Sequence, residues 1–584
     1  MKTLLINLLT HAVTKWRSTS NLSTAQLILI HIERARDPKF GDFASNIALV
    51  LAKICQRKPM DIAQELVQVI QKSAAVAEIT VASPGFINFK IAEPAFHDVL
   101  QTILSQGQHY GCSTLGKNQS MLVEFVSSNP TGPLHVGHGR HAAYGASLCN
   151  ILEATGYRVE REYYVNDAGR QICILAVSVW MRYLELFMTP IHFPRRGYQG
   201  SYVIGIAKTL QETHGDAFLR PAVDIINNLP DDSEESEEMY VDALIVRAEH
   251  LLGKAEFNQI FQWGLNAILQ DMQNDLAEFG VTFQRWFYES ELFKNGDIER
   301  GIQVLREAGF LYEKEGAVWF KATDFGDEKD RVIVRENGQP TYFASDVAYH
   351  LNKYERGFDH VFDVFGSDHH GYVPRIKALI QALGKDLNKF KALLIQFAIL
   401  YRGKTRASMS TRGGDFVTLR QLRKEVGNDA ARFFYIMRRR EQHLDFDLEL
   451  AKSQSSDNPV YYIQYAHARI CSVFRQLTQK GWEWDSNFTK ELLSPLQADH
   501  EKSLMRCLSR YPEAIETAAE TYEPAVVAYY LQELANAFHA YYNATIFLVS
   551  EPEVRNARLY LIAATRQVLA NGLGLLGVSA PEMM

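Results

Sequence analysis

The sequence predicts a multidomain α/β protein whose central domain is a doubly wound parallel sheet. Between residues 120 and 400, short apolar runs typical of strands alternate with segments of helical periodicity, the pattern of a parallel sheet covered by helices. Residues 1–112 combine helical segments with two β-like runs, which predicts a small α/β domain. Residues 456–584 show helical periodicity throughout, which predicts an all-α bundle.

Composition is that of a globular protein with room for several domains. The chain has 584 residues, of which 47% are hydrophobic and 22% charged. It holds no apolar run of the roughly 20 residues that a membrane helix needs. Its six cysteines form no C-x-x-C pair, which argues against a zinc ribbon or a disulfide framework and is typical of a reducing cytoplasm. We therefore expect a cytoplasmic protein that does not bind membranes.

The central domain is assigned to residues 113–455. Strands are predicted at residues 121–126, 159–165, 332–334, 361–365 and 393–400. Residues of about 195–275 lack β-like runs and carry six acidic residues between positions 231 and 238, so we interpret this part as a largely helical insertion.

Charge is distributed unevenly along the chain. The net charge is −7, but residues 401–442 contain two Lys and nine Arg against four acidic residues. A basic surface on a mildly acidic protein can attract a polyanion, because the local potential steers the ligand. A solvated helix face is the alternative for such a run.

The most informative stretch reads VEFVSSNPTGPLHVGH. A short apolar run containing Glu124 breaks after Asn129, and His135, Gly137 and His138 then open a helical segment. Two histidines three residues apart on a first helical turn share a face, so both can donate hydrogen bonds to one phosphate. Gly137 leaves room for a flat ring beside the backbone. A pair of ordinary helix-start histidines is the alternative.

Two further clusters carry chemistry. Tyr342 and Asp346 lie four residues apart on a predicted helix, where a carboxylate beside a phenol can receive a cationic side chain; a surface pair is the alternative. Gly366, Asp368 and His369 follow a predicted strand, at the end where ligands bind to parallel sheets. The spacing places no third metal ligand beside the histidine pair there, so contact with a nucleotide or substrate is favoured over a metal.

Taken in order, these motifs resemble those of the class I aminoacyl-tRNA synthetases, and among them the arginyl family. HVGH matches the first class signature, and SMSTR stands where the second, KMSKS, is expected. Three segments resemble the arginyl family specifically: VEF with NPTGPL, then YYVNDAG, then YYIQYAHAR. The resemblance spans nearly the whole chain and implies a Rossmann-like catalytic domain.

The resemblance implies a ligase that forms arginyl-adenylate and pyrophosphate from arginine and ATP, and then transfers the arginyl group to tRNA. It implies that Glu124 and Asn129 hold the ammonium and backbone of arginine, while Tyr342 and Asp346 receive the guanidinium. A guanidinium suits a planar bidentate carboxylate, which the ammonium of lysine cannot match.

On the ATP side, the resemblance implies that His135 and His138 stabilise charge on the α-phosphate, with Mg²⁺ on the departing pyrophosphate and no metal site of the protein's own. The implied ATP-binding set is His135, Gly137, His138, Gly366, Asp368, His369, Met409 and Ser410. Serine and threonine replace both lysines of the second signature. Arg412 or neighbouring basic residues must then stabilise the pyrophosphate, so Arg412 joins the two histidines as a predicted catalytic residue.

For tRNA, the resemblance implies anticodon contacts by residues 456–584 and elbow contacts by residues 1–112. Phe86 and Asn88 share one face of a predicted strand, and an aromatic ring beside an amide can stack on a base and hydrogen-bond it. A hairpin packed on its own helices explains that pattern equally well. Tyr461 and Tyr465 are the C-terminal candidates, with a core position as their alternative.

The predicted partners are tRNA(Arg), L-arginine and ATP, and we expect a monomer. Two other functions stay open from the sequence. A class I synthetase for another polar amino acid would share the first signature but not the pair Tyr342 and Asp346. A synthetase-like RNA-binding protein with weak catalysis would explain the altered second signature, but the intact His135 and His138 oppose it.

Overall fold

The structure is a computed structural model that describes residues 1–19, 29–35, 37–403, 405–406, 417–485 and 490–584. The predicted site residues Met409, Ser410 and Arg412 therefore lie outside the described residues. Among the described helices, none has the length and apolar character that crossing a membrane requires.

The N-terminal part is an antiparallel sheet with helices. Its elements are α1 (Lys2–Thr19), β1 (Ile32–Arg34), β2 (Phe43–Ser45), α2 (Ile47–Cys55), α3 (Pro59–Val69), β3 (Val76–Ala82), β4 (Phe86–Ile91) and α4 (Glu93–Gln106). The four strands pair in the order β1-β2-β4-β3. The two predicted β-like runs are β3 and β4. Strands β1 and β2 were not predicted, because three residues are too few for a periodic signal.

The central part begins with the motif-bearing elements and the insertion. These are β5 (Ser120–Glu124), α5 (Val136–Ala154), β6 (Arg158–Val165), α6 (Arg170–Leu186), α7 (Ser201–His214), α8 (Ala222–Ile226) and α9 (Glu237–Glu278). Helix α9 is kinked at Gly253, where φ is 69°. The insertion is therefore helical, as predicted.

The chain then returns to the sheet and completes it. The elements are β7 (Arg285–Tyr288), α10 (Glu289–Lys294), α11 (Asp297–Glu307), β8 (Leu311–Lys314), β9 (Ala317–Phe320), β10 (Arg331–Val334), α12 (Tyr342–Glu355), β11 (His360–Gly366), α13 (Val373–Ala382), β12 (Phe390–Ile395), β13 (Ala398–Arg402), β14 (Thr405–Arg406), α14 (Leu419–Val426), α15 (Asn428–Ile436), β15 (Leu444–Asp447) and α16 (Leu448–Lys452).

A five-stranded parallel sheet of order β12-β11-β5-β6-β7 forms the centre of the fold. The chain moves outward from β5 to β6 and β7, then crosses back to β11 and β12 on the other side. This confirms the predicted doubly wound sheet and puts its topological switch point between β5 and β11. Ligands of such sheets bind at the carboxyl ends of the strands beside the switch point.

Two strand predictions for this sheet were wrong, and one strand was missed. Residues 332–334 form β10, but β10 belongs to a separate antiparallel sheet of order β10-β9-β8. The run at 393–400 is two strands, because the chain breaks at Gln396 and Phe397 and β13 pairs with β14 and β15 instead. Strand β7 was missed because it is an edge strand that begins with an arginine and is mostly half-buried.

The C-terminal part is the predicted helical bundle. It consists of α17 (Pro459–Gln479), α18 (Asp499–Leu508), α19 (Tyr511–Thr521), α20 (Ala525–Ala544) and α21 (Pro552–Leu575). The N-terminal part packs directly on it: the Arg34 guanidinium lies 3.0 Å and 3.1 Å from the two carboxylate oxygens of Glu513, and Lys502 lies 2.6 Å from Glu93.

Several arginines in the described part of the basic segment 401–442 form ion pairs within the protein. Its ion pairs include Arg402–Glu425, Arg420–Asp271, Arg423–Glu278 and Arg440–Glu523. Arg432 is buried and donates to backbone carbonyls of the α9 end and the α21 end. Arg420, Arg423, Arg432 and Arg440 thus join the central sheet domain to the insertion and the bundle, so these four are not free to form a surface for a polyanion.

Candidate active site

A cavity of about 1020 Å³ opens at the switch point of the parallel sheet. The structure brings nine of the predicted site residues into its wall: Glu124, Asn129, His135, Gly137, His138, Asp346, Gly366, Asp368 and His369. Tyr342 is not in this wall, and its side chain is 59% exposed. The cavity thus combines the predicted amino-acid and ATP sites in one space.

The turn that leads from β5 into the cavity begins before Asn129. Val126 and Ser127 have φ values of 69° and 39°, a left-handed conformation that is costly for a β-branched residue. The Tyr163 hydroxyl holds the turn, because it accepts from the backbone N–H of Ser128 at 3.1 Å and donates to its carbonyl at 2.9 Å. A fixed, strained turn between the strand end and the histidine pair is typical of a preorganised site.

The two histidines at the start of α5 are held in one tautomer. His135 is the N-cap residue, and its Nδ1 accepts from the backbone N–H of Gly137 at 3.1 Å. His138 Nδ1 accepts from the backbone N–H of His135 at 3.3 Å. Since both Nδ1 atoms are acceptors, each neutral ring carries its proton on Nε2. The rings are stacked, with centroids 3.6 Å apart, so the two Nε2–H groups belong to one donor surface.

Burial makes these histidines neutral donors. Burial, followed by the proximity of His141, lowers the pKa of His135. Burial and then the neighbouring His135 lower the pKa of His138 further. Burial therefore disfavours the imidazolium form of both rings. His141, one more turn along α5, also lines the cavity, and its Nδ1 lies 3.2 Å from the Gly137 carbonyl.

The His135 ring leaves no room for a side chain at position 137, so glycine is required there. A Cβ atom at this position would lie 2.8 Å from His135 Cε1, closer than real contacts allow. For the activity that the motif resemblance implies, we expect Gly137→Ala to displace the His135 ring and to lower kcat of adenylate formation by about 10- to 100-fold, since small misplacements of catalytic groups are costly. Steady-state ATP–pyrophosphate exchange measures this effect.

Gly205→Ala in α7 is the matched control for Gly137→Ala. A Cβ atom at Gly205 meets no heavy atom within 4 Å, and alanine is the better helix former. Wild-type kcat is expected for this control. A wild-type kcat for Gly137→Ala as well would contradict the close packing of the His135 ring.

A second group of residues is acidic: Asp346 lines the cavity, and Glu289 is buried close enough for the two charges to interact. The Tyr372 hydroxyl donates to Asp346 Oδ2. The helical spacing had indicated Tyr342 as the phenol beside this carboxylate, but the structure places Tyr372 there. Burial raises the pKa of Asp346 to about 6, although the Tyr372 hydrogen bond opposes this. Burial, together with the charges of Asp346 and Asp167, raises the pKa of Glu289 to about 7. Two buried carboxylates that repel each other form a site for a cation.

The sequence alone did not identify Glu289, Tyr372 or His141. Glu289 directly follows β7, so it stands at the carboxyl end of a parallel strand, the position that predicts a ligand contact. It was missed because β7 itself was missed. Tyr372 and His141 carry no local signal beyond their proximity to the recognised motifs.

Comparisons with known proteins identify the family. The description "tRNA synthetases class I (R), catalytic domain" matches residues 99–451, preceded by "Arginyl tRNA synthetase N terminal domain" at 3–91 and followed by "DALR anticodon binding domain" at 463–584. The arginine–tRNA ligases of Thioalkalivibrio sulfidiphilus and Legionella pneumophila are 56% and 55% identical to this chain, each over 100% of both chains. The chain belongs to the arginyl-tRNA synthetase family. The solved Thermus thermophilus arginyl-tRNA synthetase, 22% identical over the full length of both chains, shares the fold with a TM-score of 0.74.

The arginyl-tRNA synthetase family assignment confirms the resemblance found in the motifs, and neither alternative class is favoured. The insertion packs on the turn that precedes the first signature: the Tyr202 hydroxyl donates to the Thr131 carbonyl at 2.7 Å. The acidic run at 231–238 pairs with arginines at the cavity rim, where Glu238 binds both Arg170 and Arg196. This acidic run therefore closes the rim around the cavity and is not a free anionic surface.

The candidate tRNA residues lie in the outer domains of the arginyl-tRNA synthetase fold. Phe86 is 36% exposed, while Asn88 on the same face of β4 is only 4% exposed. The amide therefore offers little surface to a base, in contrast to the exposed platform expected from the strand pattern. Tyr461 and Tyr465 are partly buried on α17 and stack on each other with ring centroids 5.9 Å apart.

Proposed function

We propose that this chain is an arginine–tRNA ligase, which forms arginyl-adenylate from arginine and ATP and transfers the arginyl group to tRNA(Arg). The observation that carries the proposal is the cavity at the switch point. One wall holds the stacked neutral pair of His135 and His138, and another holds the Asp346 carboxylate, whose charge acts on the buried carboxylate of Glu289. A phosphate donor site and a guanidinium acceptor site in one cavity suit the two substrates of adenylate formation.

The roles of the amino-acid residues are assigned from this geometry. Asp346 and Glu289 receive the guanidinium, and the Tyr372 hydroxyl orients Asp346. Glu124, at the carboxyl end of β5, and Asn129, in the turn that follows, hold the ammonium and backbone of arginine. Lysine is rejected because its single ammonium leaves part of this carboxylate pair unpaired, which costs a few kcal/mol in a buried site.

On the ATP side, the Nε2–H groups of His135 and His138 donate to the α-phosphate as charge builds on it in the transition state. Gly366, Asp368 and His369, after β11, bind the nucleoside part. We keep the roles predicted for Met409, Ser410 and Arg412, which lie outside the described residues.

Magnesium is proposed to enter with ATP. In the described ranges no three His, Cys, Asp or Glu side chains are grouped closely enough to hold a metal ion. Mg²⁺ commonly binds through substrate phosphates, water and one or two carboxylates, so a dedicated protein cage is not needed. Asp368 lines the cavity with its side chain 57% exposed, and its carboxylate is suited to reach such an ion. The ion would neutralise charge on the pyrophosphate as it leaves.

The direct test is ATP–pyrophosphate exchange and aminoacylation with arginine, lysine and glutamine, each with and without tRNA(Arg). Arginine alone is expected to drive both reactions. Exchange driven by lysine or glutamine would overturn the substrate assignment, and tRNA binding without any exchange would favour an RNA-binding protein. We further propose a cytoplasmic monomer, which sedimentation of the enzyme with and without tRNA would check.

Arginine binding is expected to weaken as the pH falls. In the ligand-free site the pKa of Asp346 is raised to about 6 and that of Glu289 to about 7. Protons therefore compete with the guanidinium, which stays charged at every working pH. The arginine KM should be constant above about pH 8 and rise by up to about tenfold per pH unit for each group below its pKa. The arginine KM measured from pH 5.5 to 8.5 checks this, and a flat profile would contradict it.

The N-terminal domain is proposed to contact the tRNA elbow through Phe86. Base stacking on an aromatic ring contributes about 1–3 kcal/mol, so Phe86→Ala should raise the tRNA KM by about tenfold and leave the KM values of arginine and ATP unchanged. Ile54→Ala, at a position 43% exposed in the same domain, is the control. An equal tRNA KM in both variants would contradict a contact between Phe86 and the tRNA.

A further inference from the structure

Three acidic side chains stand in register beside the cavity. Glu124 on β5 pairs with Asp363 on β11 and with Glu162 on β6, so their Cα atoms are separated by strand spacings of about 4.8 Å. All three side chains are buried. Like charges side by side on neighbouring strands are destabilising unless other groups compensate them. We call these three residues the carboxylate row.

Helix α12 supplies the compensating groups. Tyr349 and Lys353 follow Asp346 by three and seven residues, which places the three side chains on one face of the helix. Lys353 Nζ lies 2.5 Å from Glu124 Oε2 and 2.6 Å from Asp363 Oδ1. One lysine therefore ties α12 to the two strands that border the switch point.

One oxygen of Glu124 is anchored while the other is available. Lys353 Nζ and the Tyr349 hydroxyl, which is 3.0 Å away, both contact Oε2. Within the described part of the chain, no side chain or backbone group donates a hydrogen bond to Oε1. Lys353 is fully buried and does not line the cavity, whereas Glu124 does. The lysine can therefore act on a substrate only through the cavity residues that it contacts, and among these Glu124 keeps one oxygen available.

We propose that Lys353 is a positioning residue for the amino-acid substrate: it fixes the Glu124 carboxylate so that one oxygen receives the α-ammonium group of arginine. This inference rests on the proposed function of the cavity. The same lysine holds the helix that carries Asp346, the proposed guanidinium partner. It thereby sets the distance between the two ends of the substrate site, which selects for the length of the arginine side chain.

The charges around Lys353 explain why its removal should change the pKa of a neighbouring carboxylate. Burial acts to lower the pKa of Lys353, but the carboxylate row raises it above its ordinary value. Burial acts to raise the pKa of Asp363, but Lys353 and His350 outweigh burial and lower that pKa. The third carboxylate, Glu162, has its own partners in Arg356 at 2.6 Å and the Tyr349 hydroxyl at 2.8 Å. Without the lysine, the pKa of Asp363 would rise, because a group that lowers it would be gone.

The test is Lys353→Met, assayed by arginine-dependent charging of tRNA(Arg). The arginine KM should rise by about 30-fold or more, as for loss of one partner of a buried charge pair, while the ATP KM stays within about twofold. Lys391→Met on β12, where the lysine lies over the Tyr522 ring, is the matched control with wild-type KM values.

A second variant distinguishes the positioning role of Lys353 from an effect of its removal on folding. Lys353→Met combined with Asp363→Asn removes one charge of each sign, so its melting temperature should stay close to that of the wild type. Glu124 still lacks its anchor there, and the arginine KM should remain raised at least about tenfold. A folded double variant with a wild-type arginine KM would overturn the positioning role. If the wild-type enzyme itself fails to charge tRNA with arginine, the proposed function fails instead.

Discussion

Asp346→Asn is expected to lower kcat/KM for arginine by about 10³-fold, through a cost of about 4 kcal/mol for losing one partner of a buried ion pair. Asparagine keeps the shape of the side chain but not its charge, so the guanidinium would meet a neutral amide in a buried site. The loss should fall mainly on the arginine KM and leave the ATP KM within about threefold. Kinetics of charging with varied arginine and varied ATP check this separation.

The stability of the Asp346 variant should not explain its loss of activity. A carboxylate whose pKa is raised by burial does not stabilise the fold by its charge, so the melting temperature should be unchanged or slightly higher. Asp324→Asn, at an exposed carboxylate of the same domain, is the matched control with wild-type kinetics. Tyr372→Phe removes only the hydroxyl that donates to Asp346 and should cost about tenfold in the arginine KM. An Asp346→Asn variant with a wild-type arginine KM would contradict the guanidinium assignment.

The fold around the site could be predicted because its signals are local. The end of β5, the break after Asn129 and the histidines at the start of α5 follow one another within sixteen residues of sequence. Strand, turn and helix N-terminus are each encoded by neighbouring residues. The rule that ligands bind where parallel strands end then places Glu124 and Gly366 in one crevice, even though they are far apart in sequence.

Contacts made by packing could not be predicted in this way. The phenol was assigned to Tyr342 because a spacing of four residues on a helix is visible in sequence. The structure instead uses Tyr372, which reaches Asp346 from another element. The ion pairs of the basic segment could not be predicted for the same reason. Arg423 pairs with Asp275, which lies 148 residues earlier in the chain, so a local charge count could not identify its partner. Lys353 likewise had no signal in the sequence, since the carboxylate row exists only once the strands are in register.

His138→Ala is expected to reduce kcat of ATP–pyrophosphate exchange by about 10²- to 10³-fold, the usual cost of removing one donor to a developing negative charge. Affinity for tRNA should be unchanged, because the ring lies in the cavity and not in either outer domain. His138→Gln should recover part of the rate, since its side-chain amide can offer an N–H close to the position of imidazole Nε2. His360→Ala is the matched control, because this ring stands at the amino end of β11, away from the cavity.

The charge state of the histidine pair decides what the pH profile of the same assay should show. A mechanism that needed imidazolium would lose rate as the pH rises through the pKa of the rings. Burial holds the pKa of both His135 and His138 below the ordinary value, so in the free enzyme both are already neutral at pH 7. The wild-type exchange rate at saturating arginine should therefore show no fall between pH 7 and 8.5. A fall over that range that His138→Ala abolishes would mean that bound ATP recharges the ring, and donation would then come from imidazolium.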